Sequence, residues 1–435
     1  MKNNNKPHPH DTRLHLMLWR YRKIKQLRAP SDKKLRRALL DEYKDEIKDL
    51  RRVLRETDDI TRAKLPLCYK LGYMGDDRWS AWDFLKISPH DGIRNLAELD
   101  AFFKCERHFF LHRKVMVSLS GGSDSDVMLD LIMRVLAARH NDYQCDVRFV
   151  FFDTGIEYRA TKKHLDYLER KYNIEIDRRR AITPVPNGCK KYGIPFLSKY
   201  ASEMINRLQK HNFDFANDGA KTFDELFAKY PQCKGALRWW CNINGDRSAY
   251  SISRFFMLKE FMIENPPDFL ISPECCKGAK KDNAKQYERE NDIDLNVLGL
   301  RKAEGGVRAV AIGTCFTEGV GYRVDTYRPI WWFNDKDKAH YELTYKIVHS
   351  DCYKKYGLCR TGCAGCPFGS GFENELLIIQ KREPKLYKAV CAIFGKSYDY
   401  TRKYREYAAK HKRGVSQNQM SIFDINNTEV AVNDT

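Results

Sequence analysis

The sequence contains no apolar run near the roughly 18 residues that a membrane-spanning helix requires. Its first residues, MKNNNKPHPHD, are polar and lack the apolar core of a secretory signal peptide. Glycine and proline are sparse, with 25 and 15 among 435 residues, which argues against global disorder. These absences predict a folded cytoplasmic protein without a membrane partner. In that compartment the 14 cysteines are expected to be thiols or metal ligands rather than disulfides.

Acidic residues are too few to balance the basic ones. The chain has 58 Asp+Glu against 77 Lys+Arg, a formal net charge of +19. Nine of these net charges lie in residues 1–64, where apolar residues recur at helical spacing over 12–28 and 32–56. We expect a basic helical hairpin there. It is either a nucleic-acid-binding arm or a docked extension with a solvated basic face.

From Lys114 onward, β-rich apolar runs alternate with helical patterns. Strands are predicted at KVMVSLS (114–120), DVRFVFFDTG (146–155) and DFLIS (268–272), and helices at 124–139 and 161–172. This order predicts an α/β fold with a parallel twisted sheet and flanking helices. The predicted segments are a helical hairpin at 1–64, a linker or helical region at 65–110, the α/β domain at 111–370 with a helical insertion at 182–265 and a Cys-rich segment at 352–366, C-terminal helices at 371–413 and a disordered tail at 414–435.

The loop between the first strand and its helix combines glycines with hydroxyls. It reads Ser120, Gly121, Gly122, Ser123, Asp124, Ser125. Glycines let backbone N–H groups approach a phosphate closely, and the following helix N-terminus adds partial positive charge. A Walker A loop would need Gly-Lys-Ser/Thr after its first glycine, and a dinucleotide fingerprint would need a third spaced glycine. Both are missing, so a phosphate site of another kind is predicted.

This loop resembles the Ser-Gly-Gly-x-Asp-Ser signature of the PP-loop ATP pyrophosphatases, the adenine nucleotide alpha hydrolase superfamily. The element Asp153, Thr154, Gly155 resembles that of phosphoadenosine phosphosulfate (PAPS) reductase-like proteins of the iron–sulfur type. GLRKAEGGVRA (299–309) is similar to their Gly-x-Arg-x-x-Glu-Ser-x-x-Arg segment. The resemblance covers residues 110 to about 370. It departs at Ser123, where a lysine is frequent, and at Gly305, where a serine is usual.

The resemblance implies that both elements bind a nucleotide, either ATP accompanied by Mg²⁺ or PAPS. Arg301 and Arg308 suit phosphate or sulfate because a guanidinium offers two parallel donors. Together with Asp124 they are the predicted catalytic residues. The serine at position 123 removes one positive charge from the predicted phosphate site.

The cysteines predict a metal centre. A Cys-Cys pair follows DFLIS, and the later segment CYKKYGLCRTGCAGCPFG holds a Cys-x-x-Cys turn, which directs two thiolates at one metal. The combination resembles the [4Fe-4S] site of assimilatory reductases and related sulfur-inserting enzymes. The predicted ligands are Cys275, Cys276, Cys363 and Cys366. A zinc site from Cys352, Cys359, Cys363 and Cys366, a mixed set of Cys276, Cys359, Cys363 and Cys366, and no metal at all remain alternatives.

Three functions are compatible with these motifs. One is ATP-dependent adenylation of an acceptor followed by replacement of AMP by sulfur, as in tRNA thiolation and DNA phosphorothioation enzymes. A nucleic acid acceptor and a sulfur donor protein are then the expected partners. The second is sulfonucleotide reduction, which requires a nucleophilic cysteine near the C-terminus, whereas the last cysteine here, Cys391, falls in a helical pattern. The third is a non-catalytic nucleotide-binding regulator.

A short apolar cluster interrupts the polar tail. Gln419, Met420, Ser421, Ile422 and Phe423 resemble the peptide by which bacterial proteins bind the replication sliding clamp. Such motifs dock as extended segments in a groove. A clamp partner would favour DNA over tRNA as the acceptor, whereas a tail that folds back onto the domain is the alternative.

Overall fold

The computed structural model describes residues 96–138, 145–246, 248, 250–305, 312–319, 324–369 and 371–412, together with Ala38. Arg308, the motif at 419–423 and, apart from Ala38, the hairpin predicted at 1–64 lie outside these residues. The described residues form two compact units. Residues 96–184 and 278–364 form the sheet unit, and residues 185–277 and 365–412 form the helical unit.

The sheet unit is built on six strands in the order β3-β2-β1-β4-β6-β5. Their bounds are β1 Lys114–Leu119, β2 Asp146–Asp153, β3 Ile176–Arg180, β4 Leu295–Leu298, β5 Phe316–Thr317 and β6 Asp325–Tyr327. All neighbouring pairs are parallel except β5 with β6, which is antiparallel. The predicted α/β class with a mostly parallel sheet is confirmed.

The helices of both units follow in chain order. They are α1 Leu96–Leu111, α2 Ser123–Ala138, α3 Arg159–Tyr172, α4 Val185–Tyr192, α5 Lys199–Lys210, α6 Phe215–Asp218, α7 Phe223–Lys229, α8 Lys234–Trp240, α9 Leu258–Glu264, α10 Asp282–Glu290, α11 Asp335–Thr344, α12 Asp351–Lys354, α13 Phe372–Arg382 and α14 Pro384–Lys412. A π-helical turn, Lys277–Lys281, precedes α10.

Burial explains why the central strand and the helix after it form. Val115 and Val117 of β1 are fully buried, and so are Val127, Leu131 and Val135 of α2, which recur at helical spacing. A strand buried on both faces reads as a continuous apolar run, as β1 does. These residues belong to the core of the sheet unit.

The prediction of a sheet strand at 268–272 is wrong. Ile271 makes one isolated parallel bridge to Ile194, within the helical unit. Leu270 is 56% exposed, unlike a residue of a buried strand. A short apolar run between prolines does not distinguish a sheet strand from an extended loop.

The helical unit has its own aromatic core. Trp239 and Trp240 are buried, and the indole N–H of Trp240 donates to the carbonyl of Gly219 over 2.9 Å. Phe261 packs against Tyr400 and Tyr404 of α14, with ring centroids 5.0 and 5.5 Å apart. Each unit therefore has the separate apolar core that a compact domain requires.

Among the described helices, none combines the length and the apolar character needed to cross a membrane.

Candidate functional site

The turn between β1 and α2, residues 120–125, is called the Gly-Gly loop below. Gly121 has a φ of +65°, a region that L side chains rarely adopt, and a Cβ there would lie 2.6 Å from Cγ2 of Thr161 on α3. Both the backbone conformation and the close approach of α3 therefore require glycine at this position. The next residue, Gly122, gives its carbonyl to the N–H of Asp126, which begins the hydrogen bonding of α2.

Hydroxyls accept from several N–H groups of the Gly-Gly loop. The N–H of Ser120 donates to Oγ of Ser125 over 3.1 Å, and that of Gly122 donates to Oγ of Ser120 over 3.3 Å. The N–H of Ser123 donates over 2.9 Å to the phenolic oxygen of Tyr353, a residue of α12. These are the donor groups that a glycine turn at a helix N-terminus offers to an anion.

The Asp124 carboxylate binds two cations. Its Oδ1 accepts from Nε of Arg301 over 2.9 Å and from Nζ of Lys338 over 2.8 Å. Arg301 also donates through a terminal nitrogen to Asp335 over 2.8 Å. The structure thus brings Asp124 and Arg301, predicted together, into direct contact, and it adds Lys338, which the sequence analysis did not identify.

Chain geometry makes this contact possible. Gly299, two residues before Arg301, lies so close to α2 that a Cβ there would be 3.0 Å from Cα of Ser125 and 3.1 Å from the carbonyl oxygen of Asp124. Strands β1 and β4 are parallel neighbours, so their carboxyl ends meet at one edge of the sheet. Ligands of open α/β sheets bind at this edge.

The second predicted nucleotide element lies at the carboxyl end of β2. Asp153 accepts from the N–H of Gly155 over 2.9 Å and from Nζ of Lys162 over 2.6 Å. The buried Thr154 hydroxyl donates to Glu157 over 2.6 Å. Burial raises the pKa of the Glu157 carboxyl. Because β1 and β2 are also parallel neighbours, this element and the Gly-Gly loop lie at the same edge of the sheet.

A buried group of titratable side chains lies behind the Gly-Gly loop. Asp126, in the first turn of α2, accepts from Nε2 of His164 over 2.9 Å and from Nδ1 of His349 over 2.8 Å. The other ring nitrogen of His349 lies 2.9 Å from Oε1 of Glu342. Burial acts to lower the pKa of His349, but the hydrogen bonds to Asp126 and Glu342 outweigh it and raise the pKa to about 9. His349 therefore carries a proton at neutral pH.

The predicted metal ligands are divided between the two units. Cys275, Cys276 and Cys366 belong to the helical unit, and Cys363 belongs to the sheet unit. There the Cys363 thiol lies 3.6 Å from Oγ1 of Thr154. In the helical unit, hydrogen bonding with Cys189 raises the pKa of the Cys275 thiol, and Cys276 also hydrogen-bonds to it.

The alternative zinc ligands have unlike surroundings. Cys352 is fully buried, with its sulfur 3.6 Å from Oγ1 of Thr161, whereas Cys359 is exposed. No disulfide joins any of the 13 described cysteines. Within the described residues, no group of three or more His, Cys, Asp or Glu side chains is arranged to hold a metal ion. The thiols around Cys275 nevertheless have the donor chemistry of an iron–sulfur or zinc site.

A protein-family model matches one segment of the chain. The family model of the phosphoadenosine phosphosulfate reductase domain matches residues 114–225, which include the Gly-Gly loop and Asp153, Thr154 and Gly155. The resemblance of the Gly-Gly loop and of residues 153–155 to PAPS reductase-like proteins is thereby confirmed.

The chain is also similar to other proteins in sequence or in structure. An uncharacterized protein of Methanocaldococcus jannaschii is 25% identical over 347 residues, covering 80% of this chain and 53% of that protein. The chain thus spans about half the length of this curated relative. The PAPS reductase of Candida auris in its phosphate complex is 11% identical, covers 55% of this chain and 77% of its own, and has a TM-score of 0.28. The U34-tRNA thiolase NcsA of Methanococcus maripaludis with its [4Fe-4S] cluster is 14% identical, covers 77% and 86%, and has a TM-score of 0.30.

Three of the side chains that the sequence analysis did not identify lie at the Gly-Gly loop or beside Cys275. They are Lys338 and Tyr353 at the Gly-Gly loop and Cys189 beside Cys275. Lys338 and Tyr353 are 215 and 230 positions away from Ser123, which they contact. A single sequence carries no signal for pairs so distant. Cys189 lies in a short helix with no second cysteine at metal-ligand spacing.

Proposed function

We propose that this chain is an ATP-dependent sulfurtransferase that adenylates a nucleic acid acceptor and then replaces AMP by sulfur. The observation that carries the proposal is the Gly-Gly loop at the carboxyl end of β1, with Arg301 and Lys338 on the Asp124 carboxylate. A glycine turn, a helix N-terminus and two cations together favour a polyanionic ligand.

In this proposal the Gly-Gly loop holds the pyrophosphate part of ATP, accompanied by Mg²⁺. An acceptor oxygen attacks the α-phosphorus and pyrophosphate leaves. Arg301 and Lys338 stabilise the negative charge that develops on the leaving group, which is how fixed cations accelerate phosphoryl chemistry. Asp124 orients both cations, and Arg308 is proposed to add a further guanidinium.

The acceptor is inferred from charge. A formal net charge of +19, with nine of the charges in residues 1–64, suits a polyphosphate backbone. We propose that residues 1–64 bind nucleic acid, with an affinity that falls steeply as salt increases. Deletion of residues 1–64 should flatten the salt dependence, and unchanged binding by the truncated protein would place the interaction elsewhere.

The test of the chemical step is ATP–pyrophosphate exchange, measured with labelled pyrophosphate in the presence of candidate acceptors. The wild-type protein should exchange, and Gly122→Val should not. A Cβ at Gly122 would lie 3.1–3.3 Å from the Thr361, Ser120 and Tyr353 hydroxyl oxygens, so valine would crowd the loop. A protein that binds ATP but never exchanges it would support the regulator instead.

The family match favours a second candidate, reduction of PAPS or adenylyl sulfate. That reaction needs a cysteine nucleophile close to the nucleotide. Cys391, the last cysteine in the sequence, lies within α14 of the helical unit. Release of sulfite from PAPS in the presence of a thiol reductant, without ATP–pyrophosphate exchange, would establish this candidate and reject the first.

The proposed cofactor is a [4Fe-4S] cluster held by Cys275, Cys276, Cys363 and Cys366. When bound, such a cluster supplies iron that ligates sulfur or transfers electrons. Protein purified without oxygen should be brown and hold about four irons per chain. Cys276→Ala and Cys363→Ala should each remove the colour, while Cys241→Ala, a cysteine of the helical unit outside this set, should not.

Cys189→Ala separates two ligand sets. Retained colour means that Cys189 only packs beside Cys275, and lost colour means that it replaces one of the four proposed ligands. A colourless protein that holds zinc through Cys352, Cys359, Cys363 and Cys366 would establish the zinc alternative. A protein with neither iron nor zinc would reject both cysteine-ligated metal centres.

Two protein partners complete the proposal. A donor protein would deliver the sulfur, and the segment Gln419–Phe423 would bind the replication sliding clamp. A peptide of residues 414–428 should bind the clamp of the same organism, and the same peptide with Gln419→Ala and Phe423→Ala should not. Equal binding by both peptides removes this reason to prefer DNA over tRNA.

A further inference from the structure

The Gly-Gly loop carries no cation of its own. Its charged residue is Asp124, and the other five positions are serines and glycines. A pyrophosphate placed there would meet a carboxylate and neutral donors. Desolvating phosphates beside an unneutralised carboxylate is unfavourable, so a cation from another part of the chain would stabilise them in addition to the Mg²⁺ proposed with ATP.

Helix α11 supplies a lysine at this point. The ammonium of Lys338 donates to Oγ of Ser123 over 2.6 Å and contacts Oδ1 of Asp124 at 2.8 Å. It also lies 3.4 Å from Oε1 of Glu342, one helical turn further along. An ammonium has three N–H donors, and here it has three oxygen partners. The side chain is only 15% exposed, so its position is set by packing as well as by charge.

The start of α11 fixes where Lys338 lies. Asn334 accepts from the N–H of Asp337 over 3.0 Å, and its own N–H donates to the Asp337 carboxylate over 3.0 Å. This reciprocal capping box sets the first turn of the helix. Lys338 follows directly, in a position defined by hydrogen bonds rather than by a mobile loop.

Apart from the shared Asp124, Arg301 has different partners from Lys338. Its Nε and one terminal nitrogen are bound to Asp124 and Asp335, so it bridges two carboxylates. Lys338 contacts the serine hydroxyl itself, next to the N–H of Ser123 that points to Tyr353. An anion that replaces the Tyr353 hydroxyl at this N–H would lie beside the ammonium.

We infer that Lys338 is the phosphate-binding cation of the Gly-Gly loop, supplied by α11 because position 123 holds a serine. The inference rests on the proposed nucleotide site and assigns the direct contact with the phosphates to Lys338. When the phosphates bind, the ammonium exchanges part of its contact with Asp124 and Glu342 for a phosphate oxygen. The loop thus obtains from a distant helix the charge that its own residues lack.

The test compares binding of ATP, inorganic pyrophosphate and adenosine by titration calorimetry. Lys338→Met should weaken the binding of ATP and pyrophosphate by about tenfold or more, since a charge-assisted hydrogen bond is lost. Adenosine affinity should not change, because adenosine has no phosphate. The matched control is Lys336→Met, which removes the same charge from an exposed position of the same helix.

Two further variants keep the test independent of folding. Lys338→Gln keeps a polar side chain beside Ser123 and should weaken ATP binding as much as Lys338→Met does. Ser123→Lys combined with Lys338→Met moves the cation into the loop and should recover most of the lost affinity. Thermal unfolding of each variant reports whether the fold is retained.

The outcomes separate this inference from the proposed function. If the wild-type protein binds ATP and Gly122→Val does not, but folded Lys338→Met and Lys338→Gln bind like wild type, the role of Lys338 is wrong and the nucleotide site stands. Equal weakening by Lys336→Met would also overturn it, because a general charge effect would then suffice. If the wild-type protein binds neither ATP, PAPS nor pyrophosphate, both proposals fail.

Discussion

Asp124 and Asp126 lie two positions apart in the first turn of α2, and their surroundings differ. The Asp124 side chain is 17% exposed and is bound by an arginine and a lysine. The Asp126 side chain is 1% exposed and is bound by two histidines. The same residue type thus faces the ligand edge of the sheet at one position and the interior at the other. From this difference we expect Asp124 to act mainly in ligand binding and Asp126 mainly in stability.

Neutralising Asp126 should have the largest effect. Asp126→Asn leaves the charged His349 ring beside a group that no longer compensates it, and breaking a buried charge pair costs about 3–5 kcal/mol. Urea unfolding at pH 7 measures this loss. The control Asp166→Asn removes an exposed ion pair with Arg178 and should cost less than about 1 kcal/mol. Similar losses for both variants would contradict the role assigned to Asp126.

Neutralising Asp124 should instead lower the exchange rate strongly and the unfolding free energy only a little. Asp124→Asn should lower the rate of ATP–pyrophosphate exchange by about 100-fold, because Arg301 and Lys338 lose the carboxylate that orients them. Its cost in unfolding free energy should stay below about 2 kcal/mol, since Arg301 keeps Asp335 and Lys338 keeps Glu342 as a carboxylate partner. Exchange kinetics and urea unfolding on one preparation test both parts. A variant that unfolds as readily as Asp126→Asn would erase the distinction.

The contribution of His349 to the unfolding free energy should fall as the pH rises. The pKa of His349 is raised to about 9, from an ordinary value near 6.5. Its stabilising contribution is therefore fully present below about pH 6.5 and is lost as the pH rises through 9. His349→Gln should lower the unfolding free energy at pH 6 by no more than about 2 kcal/mol, with screening allowed for. Above pH 9 the unfolding free energy of His349→Gln should approach that of the wild-type protein.

The groups facing His349 define the control for this measurement. They are Asp126 and Glu342 directly, the ring of Tyr353 with its centroid 5.7 Å away, His164 on the far side of Asp126, and Lys338 beside Glu342. His340→Gln, on the exposed face of α11, should show no such pH dependence. A constant difference between His349→Gln and wild type from pH 6 to pH 10 would show that the ring contributes through packing alone.

The smallest effect is expected at Tyr353, on the ligand side. Tyr353→Phe removes the hydroxyl that accepts from the N–H of Ser123 and so releases this donor for a phosphate. ATP affinity should rise by about threefold, within the range that one net hydrogen bond contributes. Titration calorimetry measures it, with Tyr356→Phe as the control. Weaker ATP binding would show instead that the hydroxyl is a donor to the phosphate.

The local part of the site was predictable from the sequence. The β1 run, the glycines and the following helix are contiguous, and the helix predicted at 124–139 is observed at Ser123–Ala138. Contacts across the chain were not predictable. Lys338, Tyr353 and His349 reach the first turn of α2 only because the fold brings distant segments together.

The strand predicted at 268–272 failed for a related physical reason. Its composition is that of a strand, but strand formation needs a neighbour along the whole length, and in the described structure Ile271 pairs at one position. Conversely, β3 (Ile176–Arg180) is a strand although three of its five residues are arginines. Its position at the edge of the sheet, where charged side chains are tolerated, explains this composition.

The strand order has a consequence for synthesis of the protein on the ribosome. β1 ends at Leu119, but β4, its partner on the second side, ends at Leu298. Ribosomes add about 5–20 residues per second, so β1 waits roughly ten to forty seconds for that partner. During this interval the hydrogen-bonding groups on one side of a mainly apolar strand have no sheet neighbour. The nascent chain is therefore most exposed to aggregation and to chaperones while residues 185–277, the first part of the helical unit, are being made.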